Sequence, residues 1–266
     1  MSKKLIELGG FDYIPAINTG NIPKDNIANA ELYKKLLTEY ETTGLCPVFL
    51  RKNYEFDYFW LRLNEGGVES KEKYEESVNW MLHTVNYNCF DVWLGRMLYN
   101  YKLDCCETQK DYEEYLEDLN PPKSDEYNHL FDHLRVKESF GLFDEVEVES
   151  EYAEKFINFD NLLIALLPIK NPWEALAWFP MGSFNLCPSP KCQIALAKEL
   201  YEKYGARIMF IGMDRLIYYL ENPLIGKGDI ESAARTLIIA DGDVFSDYEV
   251  ATEIIAGSHV WRLWWD

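Results

Sequence analysis

Glu174, Cys187, Asp214, Asp243 and His259 are the side chains of this sequence best suited to acid–base or nucleophilic work. Cys187 lies just before Ser189-Pro190, a pair that opens a helix. A thiol near a helix N-terminus can have a lowered pKa and become reactive. A cysteine nucleophile also needs a base, and of the four histidines only His259 lies in this part of the chain. The competing reading is a packed thiol, with Asn185 satisfying the backbone of a turn.

Two groupings have the composition of cation sites. Asp241, Asp243 and Asp247, with Gly242 between the first two, form an oxygen-rich run, but the distal glutamate of a calcium loop is missing. The better reading of the same run is an acidic turn in which Ser246 and Asp247 start a helix. His129 and His133 stand four apart, on one face of an expected helix, with Asp125, Glu126 and Lys137 nearby. Two histidines and a carboxylate can bind zinc. No Glu follows His129, as the metalloprotease pattern requires, and a solvated polar face gives the same spacing. Cys105-Cys106 is an adjacent pair, not a Cys-x-x-Cys motif, and Cys89 lies 16 residues before it. No metal site is assigned.

Aromatic residues offer a different chemistry. Five of the eight tryptophans lie in the last third of the chain. Aromatic faces bind sugars, bases and cations, so Trp173, Trp178, Trp261 and Trp264, with Asn185, are candidates for a ligand cleft. Alternation along the closing strand puts Trp261, Leu263 and Trp265 on one face and Arg262 and Trp264 on the other. The alternative for any such stripe is core packing.

The sequence has no Walker-type glycine loop, no Gly-x-Gly-x-x-Gly fingerprint and no Gly-x-Ser-x-Gly elbow. The commonest ATPase, dehydrogenase and hydrolase signatures are therefore missing, and no cofactor is assigned. The net charge is −19 over 266 residues, and no run of basic residues is longer than a pair such as Lys3-Lys4. That argues against nucleic acid and against anionic membrane surfaces. The longest apolar run, Leu162 to Pro168, is too short to span a bilayer, and the first residues lack the apolar core of a signal peptide. The expectation is a cytoplasmic protein with reduced cysteines.

These residues need elements to position them. Asn29 is expected to cap a helix with Leu32, Tyr33, Leu36, Leu37 and Tyr40 inward and Gly44 as its stop. Leu45–Leu50 reads as a buried strand, and the aromatic-rich Tyr54–Leu63 as a second. From Gly67 to Glu149 there are 20 acidic against 8 basic residues, most of the net charge, with helical periodicity. Ser70, Thr108 and Ser124 are the expected caps in that stretch. From Asn161 strand and helix alternate. Leu162–Leu167 is a continuous apolar strand. Asn171-Pro172 could open a helix, with Asn as cap and Pro at its first position, but Pro180 leaves little room, so Glu174–Phe179 is read as a strand. Ser189-Pro190 opens a helix that ends at Gly205. Arg207–Ile211 and Leu216–Leu220 are strands, Asp229 and Ser246 cap two helices, and His259–Trp265 closes as a strand. The expected class is α/β, or α+β: a mixed sheet flanked by helices. Residues 1–66 and 150–266 would form the α/β domain, and 67–149 an acidic helical insertion.

The C-terminal residues carry a resemblance. Pro172-Trp173-Glu174-Ala175-Leu176-Ala177-Trp178, Pro180, Gly182, Asn185, Cys187-Pro188-Ser189-Pro190, Tyr204-Gly205-Ala206, Val260-Trp261 and Trp264-Trp265-Asp266 stand in order over residues 161–266. This pattern resembles the domain of unknown function 4253 family, which is mainly bacterial. Upstream, Thr43–Leu50 resembles an N-terminal segment of such proteins, where a tryptophan is more usual at the position of Cys46. Asp241-Gly242-Asp243 stands where the family shows a cysteine-proline-aspartate stretch. The resemblance implies no established activity, cofactor or catalytic residue, and it implies that 1–66 and 150–266 belong together.

The functional expectation is a cytoplasmic binding protein, immunity-like or antitoxin-like, presenting an acidic aromatic surface to a basic protein partner. The alternative is a hydrolase or transferase with an aromatic cleft in the C-terminal region.

Overall fold

Five of the expected strands meet in one sheet, with Lys4–Leu8 and Phe11–Ile17 added at one edge. The computed structural model describes residues 4–8, 11–17, 22, 25–51, 70–85, 87, 162–184, 187–245 and 248–265. The elements, in chain order, are β1 (Lys4–Leu8), β2 (Phe11–Ile17), α1 (Asn26–Thr43), β3 (Cys46–Arg51), α2 (Lys71–Thr84) and β4 (Leu162–Leu167). A single 3-10 turn, Pro172–Glu174, follows. Then come α3 (Ala175–Trp178), α4 (Pro190–Tyr204), β5 (Arg207–Ile211), β6 (Arg215–Tyr219), α5 (Lys227–Ala240), α6 (Tyr248–Ile255) and β7 (Val260–Trp264). The sheet order is β1-β2-β4-β3-β5-β6-β7. β3 runs parallel to β5 and antiparallel to β4, and the other neighbours are antiparallel, so the sheet is mixed as expected.

The strands read as unbroken apolar runs because both faces of the sheet are covered. On one face Val48 and Leu50 of β3, Leu163 and Ala165 of β4, Leu216 and Tyr218 of β6 and Trp261 and Leu263 of β7 join the core under α2 to α6. On the other, Phe49, Ile164, Ile217, Tyr219 and Val260 pack with Tyr33 and Leu36 of α1. The period-two alternation of β7 thus splits Trp261, Leu263 and Trp265 from Arg262 and Trp264, which are exposed. Tyr54–Leu63 and the helices expected from Thr108 and Ser124 lie outside the described residues.

Local signals mostly act as their chemistry dictates. Ser70 accepts the Lys73 N–H and caps α2, whose Tyr74, Val78 and Met81 are buried. Ser189 accepts the Cys192 N–H with Pro190 at the first turn of α4, and Gly205 ends that helix at φ 71°. Three expectations are corrected. α1 begins a turn earlier than Asn29: Asp25 is the cap and accepts the Ala28 N–H at 2.9 Å, and Asn29 is buried within the helix. α5 begins after Gly226, which leaves Asp229 in the first turn rather than at the cap. Glu174–Phe179 is helical, not a strand. Pro172 sits at a first helical position, where its missing N–H costs nothing, and Pro180 falls after the short helix has ended. Ser246 lies outside the described residues, while Gly257 ends the α6 turn at φ 65°.

Candidate functional site

The end of β7 brings together two carboxylates that are far apart in sequence. Trp264 is 40% exposed on the outer face of the strand. Its indole Nε1 donates to Asp214 Oδ2 at 3.1 Å, and its backbone N–H donates to Asp241 Oδ2 at 2.7 Å. Arg215 grips Asp214 with both arms of the guanidinium, at 2.8 Å each. Trp265 completes the corner: its N–H donates to Asp214 O and its Nε1 to Ala240 O.

The two acids are tuned in opposite directions. Partial burial alone would raise the Asp214 carboxyl, but Arg215 and the Trp264 indole overcome that and hold it below its usual value. Asp241 is almost wholly buried after α5, where Oδ1 accepts the N–H groups of Asp243 and Val244 at 3.1 and 3.0 Å. Burial outweighs these bonds and pushes its carboxyl up to about 6. Beside this corner a cleft of about 490 Å³ runs between α6 and β7, with Glu253, Ser258 and Arg262 as its polar lining.

A second surface lies on α2. Tyr74 anchors the helix: its hydroxyl donates to Trp178 O and its ring packs 5.8 Å from that of Trp178. The opposite face carries Glu72, Glu76 and Trp80, spaced four apart and all exposed, with Trp80 at 60%. Lys191, from the first turn of α4, holds its Nζ 4.5 Å from the centre of the Trp80 ring.

The remaining candidate residues are dispersed. Glu174 accepts from Lys170 N–H and Asn171 Nδ2 and so serves its own turn. Cys187 is buried in the core under α4, where Gln193 Nε2 donates to its Sγ at 3.4 Å. His259 donates through Nδ1 to Leu220 O at 2.7 Å and stacks on Tyr219, which faces the opposite side of the sheet. Asp243 is exposed. Trp178 and Trp261 are buried in one core, whereas Trp173 is partly exposed and meets Tyr87 and Lys198. Asn185, His129 and His133 lie outside the described residues. Among the described residues no group of three or more His, Cys, Asp or Glu side chains is placed to hold a metal ion, and no helix is long and apolar enough to cross a membrane.

Trp173, Trp178 and the Trp261–Trp265 strand all belong to one continuous stretch of the fold. Residues 163–266 match the model of a family described as Domain of unknown function (DUF4253). The DUF4253 segment thus supplies nearly all of β4, all of β5 to β7 and α3 to α6, with both Trp264-bound carboxylates. The Trp80 stripe of α2 lies outside the DUF4253 segment. No curated protein and no solved structure matches the chain.

Asp241 is the residue that sequence reasoning undervalued. In the sequence it reads as one member of an acidic loop, because the pairing of that loop with Trp264 leaves no trace in local spacing.

Proposed function

We propose that this chain is a binding protein that offers the outer face of α2 to a basic protein partner, in an immunity-like or antitoxin-like role. The observation that carries the reading is the Trp80 ring, which has an ammonium group over it and remains 60% exposed. An indole in that setting can take a cation from a partner, and Glu72 and Glu76 on the same face add charge complementarity. The net charge of −19 would steer a basic partner toward it. Both carboxylates at Trp264 are already held by the protein's own donors, which favours binding over acid–base catalysis.

The test is capture from native lysate at low and high salt, with the wild type and a Glu72→Gln/Glu76→Gln/Trp80→Ala variant side by side. A basic protein held by the wild type at low salt, released at high salt and missed by the variant supports the reading. A partner held equally by both proteins sinks it.

A further inference from the structure

Among the described residues β7 is an outer strand of the sheet. An outer strand turns the N–H and C=O of every second residue away from its neighbour, where they can template another chain. The parity of β7 is fixed at both ends. Leu220 N–H donates to His259 O, and Trp265 N–H donates to Asp214 O, each at 2.9 Å. Residues 259, 261, 263 and 265 therefore bond inward to β6, and Val260, Arg262 and Trp264 face outward.

At Val260 and at Trp264 the chain's own side chains take outward groups. Ser258 Oγ donates to Val260 O at 3.1 Å and accepts the Val260 N–H at 3.3 Å. Asp241 Oδ2 accepts the Trp264 N–H at 2.7 Å. Asp241 precedes α6 and Ser258 follows it, so residues 241–245 and 248–258 form a strap pinned at both ends to outward-facing groups of the edge. Phe245 and Ile255, both fully buried, hold the strap down between the pins. The strand it guards, Val260-Trp261-Arg262-Leu263-Trp264, has the composition of a strand-pairing template: apolar, aromatic and singly charged.

We infer that Asp241 and Ser258 close the β7 edge against strand addition by a second copy of this chain. A strand arriving along β7 finds the Val260 pair and the Trp264 N–H already bonded, and the Arg262 charge between them.

The test is an Asp241→Asn/Ser258→Ala variant, compared with the wild type by sedimentation velocity over a range of concentrations. An asparagine has one acceptor oxygen and cannot serve both the loop amides and Trp264. The expected result is a variant with wild-type circular dichroism that sediments as larger species than the wild type at equal concentration. A folded variant that keeps the wild-type mass overturns the inference. If the double variant does not fold, amide exchange on Ser258→Ala decides. The Val260 amide should exchange roughly tenfold faster than in the wild type, and equal rates overturn the inference.

Discussion

Trp80 and Trp264 are both exposed, and they are exposed for different reasons. Trp264 sits at the end of β7 with its indole N–H given to Asp214 and its backbone N–H to Asp241. Its position is the outcome of strand parity and of two carboxylates that need donors. Trp80 has a lysine across its ring and lies on a helix whose opposite face is buried through Tyr74, Val78 and Met81. The corner at Trp264 holds the sheet together; the stripe at Trp80 leaves its aromatic surface turned outward. Solvent exposure of a tryptophan is therefore not in itself a mark of recognition. What the polar atoms of the ring and its backbone are engaged with decides the reading.

The sharpest way to break this comparison is to remove Asp241. Asp241→Ala leaves three N–H groups without their acceptor and should destabilise the fold by about 4 kcal/mol in urea unfolding, whereas Trp80→Ala should stay within about 0.5 kcal/mol of wild type. Equal losses would erase the distinction between the two regions.

Acidity separates Asp241 from Asp214. The folded-state carboxyl of Asp241 lies near 6, above its value of about 4 in an unfolded chain. Between those values the folded protein holds the extra proton. The stability that Asp241 contributes is thus fully present below about pH 4 and is lost as pH rises through about 6, by up to about 3 kcal/mol. The difference in unfolding free energy between wild type and Asp241→Asn, measured at pH 4.5 and 7.5, should move against the wild type at the higher pH. Asp214 is lowered, so its contribution is present at neutral pH and is lost only as pH falls through its depressed pKa.

Smaller effects follow at the rings. Trp264→Phe removes the donor to Asp214 and should cost about 1 kcal/mol by the same unfolding assay. Trp80→Ala should weaken the captured complex about tenfold at low salt, roughly the contribution of one partly desolvated cation–π contact, as read by titration calorimetry. The smallest change belongs to Lys191→Ala, which vacates one face of the Trp80 ring. It should alter stability by less than about 0.5 kcal/mol and strengthen partner binding in the same titration.

Much of this architecture could be read from residue order. Leu162–Leu167 and Arg207–Ile211 declare themselves as strands because both faces are buried, and Ser189-Pro190 with Gly205 brackets α4 because caps and stops act locally. Glu174–Phe179 misled because Pro180 leaves little room for a helix, yet a short one fits between Asn171-Pro172 and Pro180. The faces of Trp261 and Trp264 follow from period two alone. The meeting of Asp214, Asp241 and Trp264 does not, since it is made by three segments that only the sheet order brings together. The outward turn of Trp80 is legible, since helical spacing from Ser70 puts Tyr74, Val78 and Met81 on the inward face; the lysine of α4 across its ring is not.

The position of β3 has a consequence for how the molecule is assembled. β3 is wedged between β4 and β5, so the matched segment 163–266 contains both neighbours of a strand it does not own. Expressed alone, that segment would have a gap in the middle of its sheet, and it should gain order only when a chain carrying Cys46–Arg51 is supplied with it. In the intact chain, β3 is synthesised long before either strand it will touch. Closure of the central sheet is then a late, long-range event, slow in the way that folds dominated by distant contacts are slow. Two separately made fragments that reconstitute one fold would be the natural laboratory form of this topology.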